Sequence, residues 1–153
     1  MFKHVLVAID GSPYSRLVLP AAIELAKKFD SEMLVLHVAE HDRGRAVVFS
    51  LQSPAAASML VADAVKAARD AEVSVRGELR DTGAGHVAKV IVAEAEANGS
   101  DLIVMGSRGL SDVQGLLLGS VTHDVMKAAD VPVLVVKPAA KEAPVPASTV
   151  AAF

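Results

Sequence analysis

A chain of 153 residues, 52% apolar and only 3% aromatic, is long enough for one domain with a substantial core of Val, Leu, Ala and Ile. It has no cysteine, which excludes disulfides and thiolate metal sites and fits a reducing, cytoplasmic setting. The formal charge of −3, with acids and bases interspersed, excludes a basic nucleic-acid surface. No apolar run approaches the ~20 residues of a membrane span, and the short run before Asp10 is no signal peptide.

Residues 3–10 (KHVLVAID) predict a first strand, apolar throughout and hence central. Gly11-Ser12-Pro13 ends it, with Ser12 suited to cap a helix and Pro13 to its first position. That helix runs to about Phe29 and contains Pro20, which costs a backbone bond and predicts a kink. Glu32 to Val38 is a second buried strand. Residues 41–53 lack periodicity, and a loop of that length is often functional. Pro54 to Asp70 reads as an Ala-rich helix packed through Leu60, Val61, Ala64, Val65 and Ala68.

Val73 to Arg80 alternates apolar and polar, as a strand with one wetter face does at a sheet edge. Asp81 to Gly85 turns into a helix from His86 to Asn98, stopped by Gly99. Leu102 to Met105 is another strand buried on both faces. A helix over 120–129 follows, with Ser120 as N-cap and Val121, Val125 and Met126 on its apolar stripe. Val131 to Val136 is the last strand; Pro132 cannot donate to a ladder, so the strand should lie at an edge or begin there. Residues 139–153 are Pro/Ala-rich and read as a weakly structured tail after a 1–138 domain.

Strand and helix alternate at the pace of an α/β fold, a single-domain doubly wound five-stranded parallel sheet with helices on both faces. Ligands of such sheets bind at the carboxyl ends of the strands. The predicted strand ends Asp10, Val38, Asp81 and Gly106 should therefore converge on one crevice.

The densest signal follows the fourth strand. Gly106-Ser-Arg-Gly109, nine residues, then Gly119-Ser120 lead from a buried strand to a helix start. Glycines admit close approach of a ligand to the backbone, successive amides form an anion nest, and the helix dipole adds positive potential. These are the needs of a phosphate site, met without net positive charge. Walker A is excluded, because no Gly-Lys-Ser/Thr follows the glycines.

The spacing Gly106-x2-Gly109-x9-Gly119-Ser120 resembles the motif of nucleotide-binding universal stress proteins, and the likeness covers about residues 2–138. It implies strand order 3-2-1-4-5 and an ATP site, with Mg, in a regulatory stress-response protein. Gly106, Gly109, Gly119 and Ser120 would cradle phosphates, with Val121 and Thr122 adding first-turn contacts. Ala8, Ile9 and Asp10 at the first strand's end, and Met105 at the fourth's, match ligand-contacting positions. Asp10 can contact ribose, adenine or Mg, or simply cap the following turn. Val38 matches the position whose backbone reads the adenine edge. Arg108 can neutralise phosphate or remain a solvated loop arginine.

The resemblance also implies a homodimer. Pairing of the 131–137 edge strand with its twin would cover an apolar edge that carries no guarding charge before Lys137.

Other readings fare worse. Gly83-Ala-Gly85-His-Val-Ala88 fits a dinucleotide fingerprint, but the acid at the required distance, Asp101, starts a strand instead of ending one. A receiver domain would want an adjacent acidic pair, and Ile9 precedes Asp10. The five histidines show no ligand spacing, and His37 reads as a satisfied core histidine. No Gly-x-Ser-x-Gly elbow is present. With only Asp10 and Arg108 as catalytic candidates, turnover is expected to be slow ATP hydrolysis or autophosphorylation at most. The rival function is a nucleotide-independent dimeric interaction module of the same fold, acting on an unnamed downstream protein.

Overall fold

A computed structural model describes residues 1–41, 53–109 and 118–139. Its elements are β1 (His4–Ala8), α1 (Ser15–Phe29), β2 (Glu32–His41), α2 (Pro54–Asp70), β3 (Val75–Gly83), α3 (Val87–Ala97), β4 (Leu102–Gly106), α4 (Ser120–Ala128) and β5 (Val133–Val136). The sheet is five-stranded in the order β3-β2-β1-β4-β5, and all of its pairings are parallel.

Alternation along the central strands sorts the core onto two faces. Val5, Val7, Ile9, Met33, Val35, Leu102 and Val104 form one layer with Val18, Ala22 and Ala26 of α1 and Ala64 and Ala68 of α2. Leu6, Leu34, Leu36, Val38, Ile103 and Met105 form the other, with Ile91 and Ala95 of α3 and Val125 of α4. Alanine supplies much of what the helices bury, so their backbones lie close to the sheet.

Several boundaries differ from the sequence expectations. The turn before α1 does use Ser12: its hydroxyl and its carbonyl both face the Ser15 amide, at 3.3 and 3.1 Å. Regular helix begins only at Ser15, so Pro13 lies in the lead-in turn. Pro20 sits on the exposed side of a continuous α1. β2 and β3 run on past Val38 and Arg80, because pairing continues to His41 opposite Gly83. The extension is clipped by His41 Nε2 on Asp81 Oδ1 (2.8 Å) and by the Gly85 amide donating to Glu40 Oε1 (2.6 Å). Of the residues expected on the buried stripe of α4, Val125 is fully buried, whereas Met126 is 49% exposed. Most of the 41–53 loop and the 139–153 tail lie outside the described residues.

β3 is pinned to α2 through Gly77. A Cβ built there would stand 2.5 Å from Val61 Cγ1 and 2.7 Å from Val65 Cγ2. Valines in a helix hold one χ1 rotamer and cannot swing aside. Gly77→Ala is therefore expected to cost about 1–3 kcal/mol in urea unfolding. Adding Val61→Ala and Val65→Ala should recover part of that loss; equal costs in both backgrounds would show that α2 is not what excludes the methyl group.

Candidate functional site

Where β1 leaves the sheet, its last peptides are held by side chains. The Ile9 amide still donates to Leu36 O (2.9 Å), continuing the ladder with β2. The Ile9 carbonyl accepts from the ring of His37 (Nδ1, 2.8 Å) and the Asp10 amide donates to Ser15 Oγ (2.9 Å). Asp10 Oδ1 accepts from the Ser12 amide (2.9 Å) and the Ser15 hydroxyl (2.6 Å). Asp10 thus does cap its own turn, as aspartates commonly do.

Its other carboxylate oxygen looks across to the β4 exit. A Cβ built on Gly109 would lie 2.5 Å from Asp10 Oδ2, a separation no side-chain carbon tolerates, so glycine here permits the approach of loop and carboxylate. The β4 exit is folded back onto β5 and α4. The Ser107 amide donates to Val136 O (3.0 Å) and the Ser107 carbonyl accepts from the Gly119 amide (2.8 Å). Thr122, buried at 3% exposure, donates through Oγ1 to Gly106 O (2.8 Å) and staples the first turn of α4 to the strand end.

The N-cap of α4 is Gly119, not Ser120 as the sequence suggested. Gly119 is extended (φ −70°, ψ 159°) and its carbonyl takes the first helical bond, from the His123 amide at 3.0 Å. Ser120 is thereby the first helical residue, with its side chain exposed. No described residue accepts from the amides of Ser120, Val121 and Thr122. These three amides stand at the positive end of the helix.

Arg108 leans on α1: its guanidinium lies 5.9 Å from the centre of the Tyr14 ring, and Nη1 is 3.5 Å from the Tyr14 hydroxyl. The arginine is thus packed on a buried ring at the mouth of the site, not loose in solvent, as a cation over an aromatic face can be.

The structure therefore brings together Asp10, Gly106, Arg108, Gly109, Gly119, Ser120, Val121 and Thr122. Ala8 is half-buried as the last residue of β1, and Met105 is buried beneath Gly106. Val38 is 8% exposed on β2 beside the β1 exit. Asp81 departs from the expected convergence: it is paired with His41 on the extended β2–β3 ribbon. Ser111, Asp112, Leu116 and Leu117 of the loop lie outside the described residues. Sequence reasoning missed Tyr14, Ser15 and Ser107. A serine three residues after a capping serine was the only local hint of Ser15; Tyr14 and Ser107 act through partners distant in sequence.

Chemically, the described residues of the site offer main-chain amides, a helix N-terminus and the Arg108 guanidinium, with the Asp10 carboxylate opposite. That set fits an anion such as a phosphate, and the carboxylate fits a divalent metal bound to it. Among the described residues no group of three or more His, Cys, Asp or Glu side chains forms a metal site of its own. No described helix is long and apolar enough to cross a membrane.

The sequence profile of the universal stress protein family matches residues 1–137. Universal stress protein YxiE of Bacillus subtilis is 34% identical over 154 residues, spanning 90% of this chain and 100% of its own length. The solved structure of MJ0577 from Methanocaldococcus jannaschii is 29% identical, with a TM-score of 0.75 over 91% of this chain and 98% of that one. A universal stress protein crystallised in complex with cAMP is 25% identical, with a TM-score of 0.65 over 90% and 98% of the two chains. By profile, relatives and sheet order alike, this chain belongs to the universal stress protein family.

Proposed function

We propose that this protein binds ATP, with Mg²⁺, between the β1 exit and the β4–α4 loop, and works as a homodimeric regulatory stress protein. The observation that carries the reading is the helix start of α4 set beside Gly109, which lies so near Asp10 that a Cβ there would stand 2.5 Å from Oδ2. The cAMP complex of a structural relative supports adenine nucleotide as the ligand class. In this reading the amides of Ser120, Val121 and Thr122 hold phosphate oxygens, Gly119 and Gly109 admit them, and Arg108 exchanges Tyr14 for a phosphate. Asp10 would hold Mg²⁺ arriving with the phosphates, and the cation's charge would offset the repulsion between carboxylate and phosphate. Ala8, Ile9, Met105 and Val38 line the nucleoside end, Val38 through its backbone.

The dimer is proposed through residues 131–137. β5 is an outer strand of the sheet, short and apolar, and Leu134 is 39% exposed upon it. Antiparallel pairing with a second copy would satisfy its free edge. The domain is taken as 1–138, with 139–153 as a tail, and the setting as cytoplasmic.

Tyr14 is the only tyrosine and the chain has no tryptophan, so tyrosine emission reports this site alone. ATP titration is expected to change that emission and to give the same affinity by calorimetry. In Gly119→Val, the new Cβ lies 3.4 Å from Arg108 Cα and 3.7 Å from the Gly109 nitrogen, and the added methyl groups crowd that amide. The variant should lose about tenfold or more in ATP affinity, the worth of one or two charge-assisted hydrogen bonds. An unaltered affinity would remove the loop from the site, and a wild-type protein blind to ATP would favour the nucleotide-independent module.

Sedimentation across a wide concentration range should show a dimer that Leu134→Lys dissociates. A wild-type monomer throughout would refute the β5 interface.

A further inference from the structure

His37 is buried at 4% exposure, and nucleotide binding as proposed does not use its side chain. It sits on β2 between Leu36 and Val38, on the face it shares with Val35. Its Nδ1 lies 2.8 Å from the Ile9 carbonyl. A carbonyl only accepts, so Nδ1 carries a proton and donates it to Ile9 O.

The location of that bond is informative. Paired register between β1 and β2 ends at Ala8 opposite Leu36, and the Ile9 amide adds one more bond, to Leu36 O. A ladder carried one step further would draw the Ile9 carbonyl onto the Val38 amide. The described donor to that carbonyl is instead the imidazole. Val38 shares the parity of Leu36, so its own peptide groups turn towards the side that β1 has just vacated. The peptide joining Ile9 to Asp10 is also held at its other end, where its N–H donates to Ser15 Oγ (2.9 Å). Two side chains from different elements therefore fix one peptide plane, and that plane sets where the Asp10 carboxylate starts.

We infer that His37 is a positioning residue of the nucleotide site: its Nδ1–H locks the Ile9–Asp10 peptide, aims Asp10 at the loop and spares the Val38 backbone for the ligand. The inference rests on the nucleotide-binding reading above.

The test compares His37→Asn, whose amide nitrogen reaches the Nδ1 position, with His37→Gln, whose amide reaches the Nε2 position, and with His37→Leu, which has no donor. ATP affinity is read by calorimetry and by Tyr14 emission, and folding stability by urea unfolding. Leu and Gln are expected to weaken ATP binding about tenfold, as an unmet buried carbonyl and a loosened peptide would. Asn should bind within about threefold of wild type, because its donor is in place. Nitrogen-15 NMR of the wild-type ring should show a protonated Nδ1.

If all three variants unfold alike and bind ATP alike, His37 serves only the core and the inference falls, with the ATP site intact. Equal losses in Asn and Gln would also overturn it, since geometry would then not matter. Should Leu fail to fold, the Asn–Gln contrast still decides. A wild-type protein that binds no ATP removes the parent reading, and this inference with it.

Discussion

The site depends on β1 and β4 lying side by side while their chains leave the sheet towards opposite faces. β1 leads into α1, which buries Val18, Ala22 and Ala26 in one layer, whereas β4 leads to α4, which buries Val125 in the other. Their carboxyl ends are held in register by the pairs Val5–Leu102 to Val7–Val104. The two exits therefore part above a shared edge, and a crevice follows from topology before any side chain is considered. A parallel sheet buried on both faces allows no register slip here, because a one-residue shift would exchange the two core layers.

Within that crevice, charge is handled locally. The molecule carries a formal charge of −3, so an anionic ligand gains nothing from the overall field. What it meets is a set of amides whose positions are fixed by bonds that do not involve a ligand: Gly119 to Ser107, Thr122 to Gly106, Ser107 to Val136. Each ties a described residue beside the loop to a strand or helix, so the start of α4 is held in place before any ligand arrives. The carboxylate of Asp10 opposes a bare anion and favours one that arrives with a cation. On the nucleotide reading proposed above, it would favour metal-bound polyphosphate over free phosphate.

The sheet was legible in the sequence because doubly buried strands leave unbroken apolar runs, as at Leu102–Met105. The bounds of α2 were legible to the residue because Ser53 and Pro54 carry start chemistry in the chain itself, and Ser53 does accept from the Ala56 amide (3.1 Å). Where local chemistry was ambiguous, the sequence misled. Ser120 is the better capper by type, yet Gly119 takes the cap because its own amide is claimed by Ser107 from across the loop. The ends of β2 and β3 were placed early, since the His41–Asp81 pair that sustains them joins residues 40 apart. The glycines of the site could be found by spacing. The side chains that hold it, His37 on Ile9 and Tyr14 under Arg108, could not, because their partners are 28 and 94 residues away.

The same restraints bear on whether the site turns over its ligand. Phosphoryl transfer needs a group that orients the nucleophile and another that follows charge onto the leaving oxygens. Asp10 is bound at Oδ1 by an amide and a hydroxyl, and its own peptide is pinned at both ends. A carboxylate so held is well suited to place a metal or a hydroxyl and poorly suited to swing towards water. Arg108 rests on the Tyr14 ring, and a guanidinium that reached a bound phosphate from there would strengthen the ground state and the transition state together. Interactions shared equally by both states bind without accelerating. On the nucleotide reading proposed above, the described restraints on Asp10 suit holding a ligand better than attacking it.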